Sequence, residues 1–213
     1  GFGTRVANPG TLPAGAVWGL AFSPDGAFVA VAHDNSPYIS VYPWSSSGYG
    51  TKIANPSTLP AGNGYGVAFS PNGATIVVGH NTSPYISAYP WSSSGFGTKF
   101  DNPGTLPASL VNAITFSPDG AFVAVVHDSS PYVSVYPWSA SGFGTKFANP
   151  GTLPAGNGYG VAFSPDGAFI AVAHANTPYV SVYPWSSSGF GTKVANPGTL
   201  LTAPASGVAF GIL

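Results

Sequence analysis

Apolar residues in this chain come in short runs broken by turn residues, and no stretch repeats them at helical spacing. Gly19 to Phe22 is a first run, stopped by Ser23-Pro24-Asp25-Gly26, where Pro presets φ and Gly accepts a positive φ. Phe28 to Ala32 is continuously apolar, as expected of a strand covered on both faces, and the turn His33-Asp34-Asn35-Ser36-Pro37 follows it. Tyr38 to Tyr42 alternates aromatic or polar residues with Ile39 and Val41, the period of a strand. Pro43 cannot donate to a ladder, so the third strand is expected to end or bulge there. After a loop at Ser45 to Gly48, Thr51 to Ala54 reads as a short fourth strand closed by Asn55-Pro56, and 57–64 is turn-rich.

This pattern recurs with a period of 47 residues. Phe-Ser-Pro-Asp/Asn-Gly begins at Phe22, Phe69, Phe116 and Phe163, with Phe210 in the same phase. His33, His80, His127 and His174 keep the spacing, as do Trp44, Trp91, Trp138 and Trp185, and Gly-Thr-Lys/Arg recurs from Gly3. Units of this kind bury their faces only by stacking on their neighbours. Four short antiparallel strands per unit describe a propeller blade. The expected fold is all-β: a β-propeller of four-stranded antiparallel blades forming a single domain over residues 1–213. Blade units fall at about 19–54, 66–101, 113–148 and 160–195, and a partial fifth position is made from 4–7 and 207–210. Exposed sheet edges invite pairing, which favours five blade positions, with the incomplete one filled by another chain or by a missing hairpin, over four blades closing with redundant ends.

The run Gly160 to Gly167, followed by Phe169 to His174 and Tyr179 to Tyr183, resembles the first three strands of WD-repeat and YVTN-type propeller blades, and the likeness covers all four complete units. The resemblance implies the fold and leaves the function open, since propellers host many. Tyr42-Pro43 stands where the Trp-Asp pair of WD repeats is found, and no Gly-His precedes the first strand, so that family's side-chain network does not carry over.

Composition narrows the classes. Charged residues are 5% of the chain, against about 25% in ordinary globular proteins. A net charge of -1 with five scattered basic residues gives no footprint for nucleic acid or anionic membranes, and no apolar run is long enough to insert in a bilayer. The sequence starts at Gly1 without the basic-then-apolar order of a signal peptide, which reads as a soluble, processed or trimmed chain. Cys is absent, which excludes disulfides and thiolate metal sites.

The chemistry-bearing residues read mostly as scaffold. Each His ends a second strand in its own blade, too far from its equivalents to share an ion, and is expected to be a hydrogen-bonded turn residue. Asp25, Asp119 and Asp166 sit in the hairpin turn where Asn72 substitutes, which points to backbone bonding. The turns Asp34-Asn35 and Asp128-Ser129 offer too few oxygens for Ca²⁺. No metal and no cofactor is expected. The segment before each first strand varies where the rest of the unit hardly changes, and it supplies the candidate ligand-binding residues Trp18, Asn63, Tyr65, Asn112, Asn157 and Tyr159. Aromatic rings beside amides suit a sugar, which stacks its apolar face and hydrogen-bonds at its rim.

The expected function is therefore non-enzymatic: a binding or structural propeller, displayed outside a cell or on a virion, that recognises a glycan or protein surface through its loop face. The competing class is an intracellular WD-repeat-like interaction scaffold, which would be expected to carry more charge. A propeller hydrolase comes third, because no blade-specific polar cluster is evident. A homo-oligomer completing the partial blade is a further expected partner.

Overall fold

The computed structural model describes residues 4–211. Gly3, the first member of the Gly-Thr-Lys/Arg series, lies outside them. The described chain is all-β, without a helix, and builds four separate four-stranded antiparallel sheets. The first holds β1 (Val17–Phe22), β2 (Phe28–His33), β3 (Ile39–Ser45) and β4 (Gly48–Tyr49) in sequential order. The second holds β5 (Gly64–Phe69), β6 (Thr75–His80), β7 (Ile86–Ser92) and β8 (Gly95–Phe96). The third holds β9 (Val111–Phe116), β10 (Phe122–His127), β11 (Val133–Ser139) and β12 (Gly142–Phe143), and the fourth β13 (Gly158–Phe163), β14 (Phe169–His174), β15 (Val180–Ser186) and β16 (Gly189–Phe190).

The turn chemistry behaves as the sequence implies. Ser23 Oγ donates to Asp25 Oδ1 at 2.5 Å, that carboxylate accepts from the Ala27 amide at 3.0 Å, and Gly26 takes φ 69. These bonds hold the Asp25 carboxyl below the usual carboxylate range, the serine hydroxyl contributing most. Asp119 and Asp166 repeat the arrangement, and Asn72 supplies the same acceptor.

Several strand boundaries differ from the expectation: β1 begins at Val17 rather than Gly19, and His33, expected in the turn, ends β2 and pairs with Val17. Tyr38 is a turn residue at φ 69 rather than the first residue of a strand, its amide donating to Asn35 O at 2.9 Å. The third strand does not stop at Pro43 but pairs it with Phe28 and runs on to Ser45. The Pro43 carbonyl accepts from Gly50 beyond β4, and since a strand residue aims both backbone groups to one side, the missing donor faces the end of the short outer strand, where no ladder continues. The fourth strand is Gly48–Tyr49, not 51–54, because Ser45 and Gly48 pair across a two-residue turn. Of the expected 51–54 strand, one ladder-like bond survives, from Ile53 N to Val41 O at 2.8 Å.

The sheets pack face to face, and the period-2 alternation decides which neighbour each side chain meets. Ala30, Ala32, Ile39 and Val41 of the first blade join Val67, Phe69, Ile76, Val78, Tyr89 and Trp91 of the second in one core cluster. Equivalent clusters join the second blade to the third and the third to the fourth. Thus Phe28, Ala30 and Ala32 look forward along the array, and Phe22, Tyr42 and Trp44 look back. Phe28 meets Trp91 edge-on at 5.3 Å, and Phe122 meets Trp185 likewise, so the tryptophans are inter-blade packing.

Among the described residues no apolar cluster joins the fourth blade to the first, and no sheet closes. The segments expected to form a partial fifth blade carry no strand structure. Val6 lies against Gly48, the place Ile53 takes at Gly95, and Gly207 lies against Gly160 as Gly66 lies against Gly19. Neither 4–7 nor 207–210 is a strand, and neither pairs with a sheet among the described residues.

Candidate functional site

The first strand of every blade is innermost, and β1, β5 and β9 approach so closely that a Cβ on Gly66 would come within 3.0 Å of the Ala113 Cα. Just ahead of that close contact, the repeat places one side chain per blade: Trp18, Tyr65, Asn112 and Tyr159. All four line one cavity of about 300 Å³, together with Leu20, Val67 and Ile114 of the inner strands. Four of the six candidate residues are thus brought together. Asn63 and Asn157 are not; they stand one residue ahead of the strands, where their carbonyls accept from Asn81 N and Ala175 N and fix the loop to the turn after the second strand.

The groove has an aromatic side and a polar side. Trp18 and Tyr65 stack with centroids 5.6 Å apart and planes 28° apart. Trp18 Nε1 donates to Asp34 Oδ1 at 3.0 Å. Asn112 Nδ2 donates to Asp128 Oδ1 at 2.7 Å and to the Gly158 carbonyl at 2.9 Å, which leaves its amide oxygen free to accept. Asp34 and Asp128 do not line the groove but hold two of its side chains from the turn after the second strand, a role the sequence does not reveal for them. The repeat carries only a correlation: the blades with Asp after the second strand carry an N–H donor in the groove, and those with Asn81 or Ala175 carry Tyr.

Elsewhere most polar side chains are engaged in structure, the buried His80 Nδ1, His174 Nδ1 and Trp185 Nε1 being without a partner among the described residues. All four histidines are buried, and Nε2 of each faces a strand-three serine, His33 to Ser40 at 3.0 Å and His127 to Ser134 at 3.1 Å. Burial pushes His80 and His127 down to about 4 and lowers His174, outweighing the neighbouring carbonyls that act the other way. Tyr42, Tyr89, Tyr136 and Tyr183 are buried and each donates to the carbonyl of a threonine in its incoming loop, Tyr89 to Thr58 at 2.9 Å. The basic residues reach the asparagine three positions on, as Arg5 reaches Asn8 and Lys146 reaches Asn149. Among the described residues no three His, Cys, Asp or Glu come together as metal ligands. A larger cavity of about 400 Å³ between the third and fourth blades is lined by Asp119 and Asp166, but both carboxylates are already bound within their turns. Smaller crevices at Thr11 and Thr152 are the same seam in two blades. The inner groove alone among these is lined by side chains that differ from blade to blade.

The WD domain, G-beta repeat family matches residues 9–39, the stretch that carries the first groove residue and the first two strands. The same four-stranded antiparallel unit is built four times along the described residues. The chain is a WD-repeat-like β-propeller. No curated protein matches it. Among solved structures it is similar to hydrazine synthase of Kuenenia stuttgartiensis, at 14% identity and TM-score 0.64, over 91% of this chain and 52% of that one. It is also similar to a Bacteroides uniformis protein described as a candidate 6-phosphogluconolactonase, at 18% identity and TM-score 0.63, over 81% of this chain and 54% of the other. A functionally unknown protein from Desulfotomaculum acetoxidans aligns at 17% identity and TM-score 0.65, over 88% and 58%. At these identities the likeness is one of fold. The chain spans little more than half the length of each.

Proposed function

We propose that this WD-repeat-like propeller is a non-enzymatic binding scaffold that takes a neutral glycan in the inner groove, on a secreted, cell-surface or virion-borne protein. The observation that carries the reading is the convergence of Trp18, Tyr65, Asn112 and Tyr159 in one cavity. These positions differ from blade to blade in a repeat that changes little over most of its length. A stacked Trp–Tyr pair offers a flat apolar face to the C–H side of a sugar ring, and the free Asn112 oxygen accepts from its hydroxyls. A volume of about 300 Å³ lies at the lower end of small-ligand sites, the size of one or two sugar rings. With a net charge of -1 and the basic residues tied to asparagines, nothing in the groove favours an anion.

The second reading, a WD-like protein-interaction scaffold, is favoured by the family match at residues 9–39. Glycan-array binding separates the two. The glycan reading expects a defined set of neutral saccharides, with affinity reduced roughly tenfold or more by Trp18→Ala or Tyr65→Ala. An array without hits, or hits indifferent to both substitutions, would reject it. Specific capture of one protein partner from lysate, lost in the same variants, would establish the scaffold reading instead.

A further inference from the structure

We propose that Asp34 and Asp128 are positioning residues that set the specificity of the inner groove, a role that rests on the groove being the glycan site. By taking up the N–H donors of Trp18 and Asn112, they leave a site that accepts hydrogen bonds from its ligand and turns away sugars bearing carboxylate or sulfate.

Of the side chains that surround the cavity, only Trp18 and Asn112 carry an N–H; the rest are aliphatic or phenolic. The indole has one such donor, and Asp34 Oδ1 takes it at 3.0 Å. The Asn112 amide has two, of which Asp128 Oδ1 takes one at 2.7 Å and the Gly158 carbonyl the other at 2.9 Å. Both partners are acceptors, so the amide presents its nitrogen to them in one orientation alone, and its oxygen is the atom left for the groove. A sugar hydroxyl brings the donor that this oxygen needs. A carboxylate or sulfate brings acceptors only, meets no cation among the lining residues, and lies close to two aspartates of its own sign.

The same bonds hold the site in shape. Trp18 is 58% exposed, so packing alone does little to fix its rotamer, and the bond to Asp34 keeps the indole stacked on Tyr65 of the next blade. Asn112, held by Asp128, reaches across to the first strand of the fourth blade. In the second and fourth blades Asn81 and Ala175 stand in place of the two aspartates, and the groove residue is a tyrosine, which has no side-chain N–H to take up.

Two readouts on the 213-residue chain test the assignment. The first needs no ligand: by nuclear magnetic resonance the Trp18 indole proton should move upfield and exchange faster with water in Asp34→Ala, and the Asn112 amide protons should do so in Asp128→Ala. Asp34→Asn and Asp128→Asn keep an acceptor and should restore the wild-type signals. The second is an array of neutral saccharides, each printed beside its sulfated and uronic-acid counterparts. Wild type should bind neutral members and not their anionic counterparts. Each alanine variant should lose about fivefold in affinity for the neutral members and begin to take the anionic ones, and each asparagine variant should return to within about twofold of wild type. Signals indifferent to the alanine substitutions, a wild type that takes the anionic counterparts equally well, or alanine variants of unaltered selectivity would overturn this assignment while leaving neutral glycan binding in place. A blank wild-type array would instead overturn the glycan reading beneath it.

Discussion

Replacing Gly79 by valine puts a branched side chain into the junction between the second and third blades, where a Cβ on Gly79 already lies 2.9 Å from the Val111 Cβ. Overpacking of this kind costs about 1–3 kcal/mol. Val111 is fully buried, so Val111→Gly removes a side chain worth about 1.5–3 kcal/mol and adds about 0.5–1 kcal/mol for glycine in a strand. Taken independently, the two changes together should cost about 3–7 kcal/mol. The next junction shows why they are not independent. There Val126 takes the place of Gly79 and Gly158 the place of Val111, with a Cβ on Gly158 only 2.5 Å from the Val126 Cβ. The first junction solves the same problem with Ala32 against Gly64, 3.2 Å from the Gly64 Cβ position. The double variant therefore recreates a natural pair, and with volume conserved its cost should be below about 1.5 kcal/mol. Urea unfolding of wild type, both single variants and the double variant gives the coupling energy directly, expected to be at least about 1.5 kcal/mol. Losses that simply add, within about 0.5 kcal/mol, would refute the account of the blade junction.

Three further outcomes are expected. His80 and His127 have folded pKa values near 4, below the ordinary 6.5, so the unfolded chain takes up protons first; stability should be full at neutral pH and decline as pH falls from about 6.5 to about 4, with a smaller decline in His80→Gln, read from urea midpoints. Tyr89→Phe should cost about 1–2 kcal/mol by leaving the Thr58 carbonyl without its donor, and an unchanged urea midpoint would show that bond to be idle. Thr75 stands where the other blades carry Phe, and the third junction holds Phe122, Phe147 and Trp185 together, so Thr75→Phe should pack on Phe100 and Trp138 and raise the melting temperature by about 3 °C.

Much of this architecture can be read from the residues themselves. The 47-residue phase of Phe22, His33 and Trp44 marks the blade, and the alternation through Ile39 and Val41 assigns each side chain to a neighbour. Tyr38 was misleading because it continues that alternation while its φ of 69 places it in the turn. Pro43 was misleading because a strand accepts proline on the side where its ladder ends, and sequence does not tell which side that is. The short outer hairpin was hidden because Thr51 and Ile53 have higher strand propensity than Gly48, whereas the two-residue turn needs Gly48 at φ 94. In the groove, variation among repeats pointed to Trp18, Tyr65, Asn112 and Tyr159. It also pointed to Asn63 and Asn157, one residue earlier, because periodicity alone does not say which residue of a loop faces the axis.

The central claim is that each repeat is a blade packed forward and backward on its neighbours, with the first strands gathered around one groove. Nuclear Overhauser contacts from the indole of Trp91 test it most directly. The account requires cross-peaks to Phe96 of its own repeat and to Phe28 of the preceding one, at centroid distances of 5.0 and 5.3 Å. An indole that sees only rings of its own repeat would contradict it.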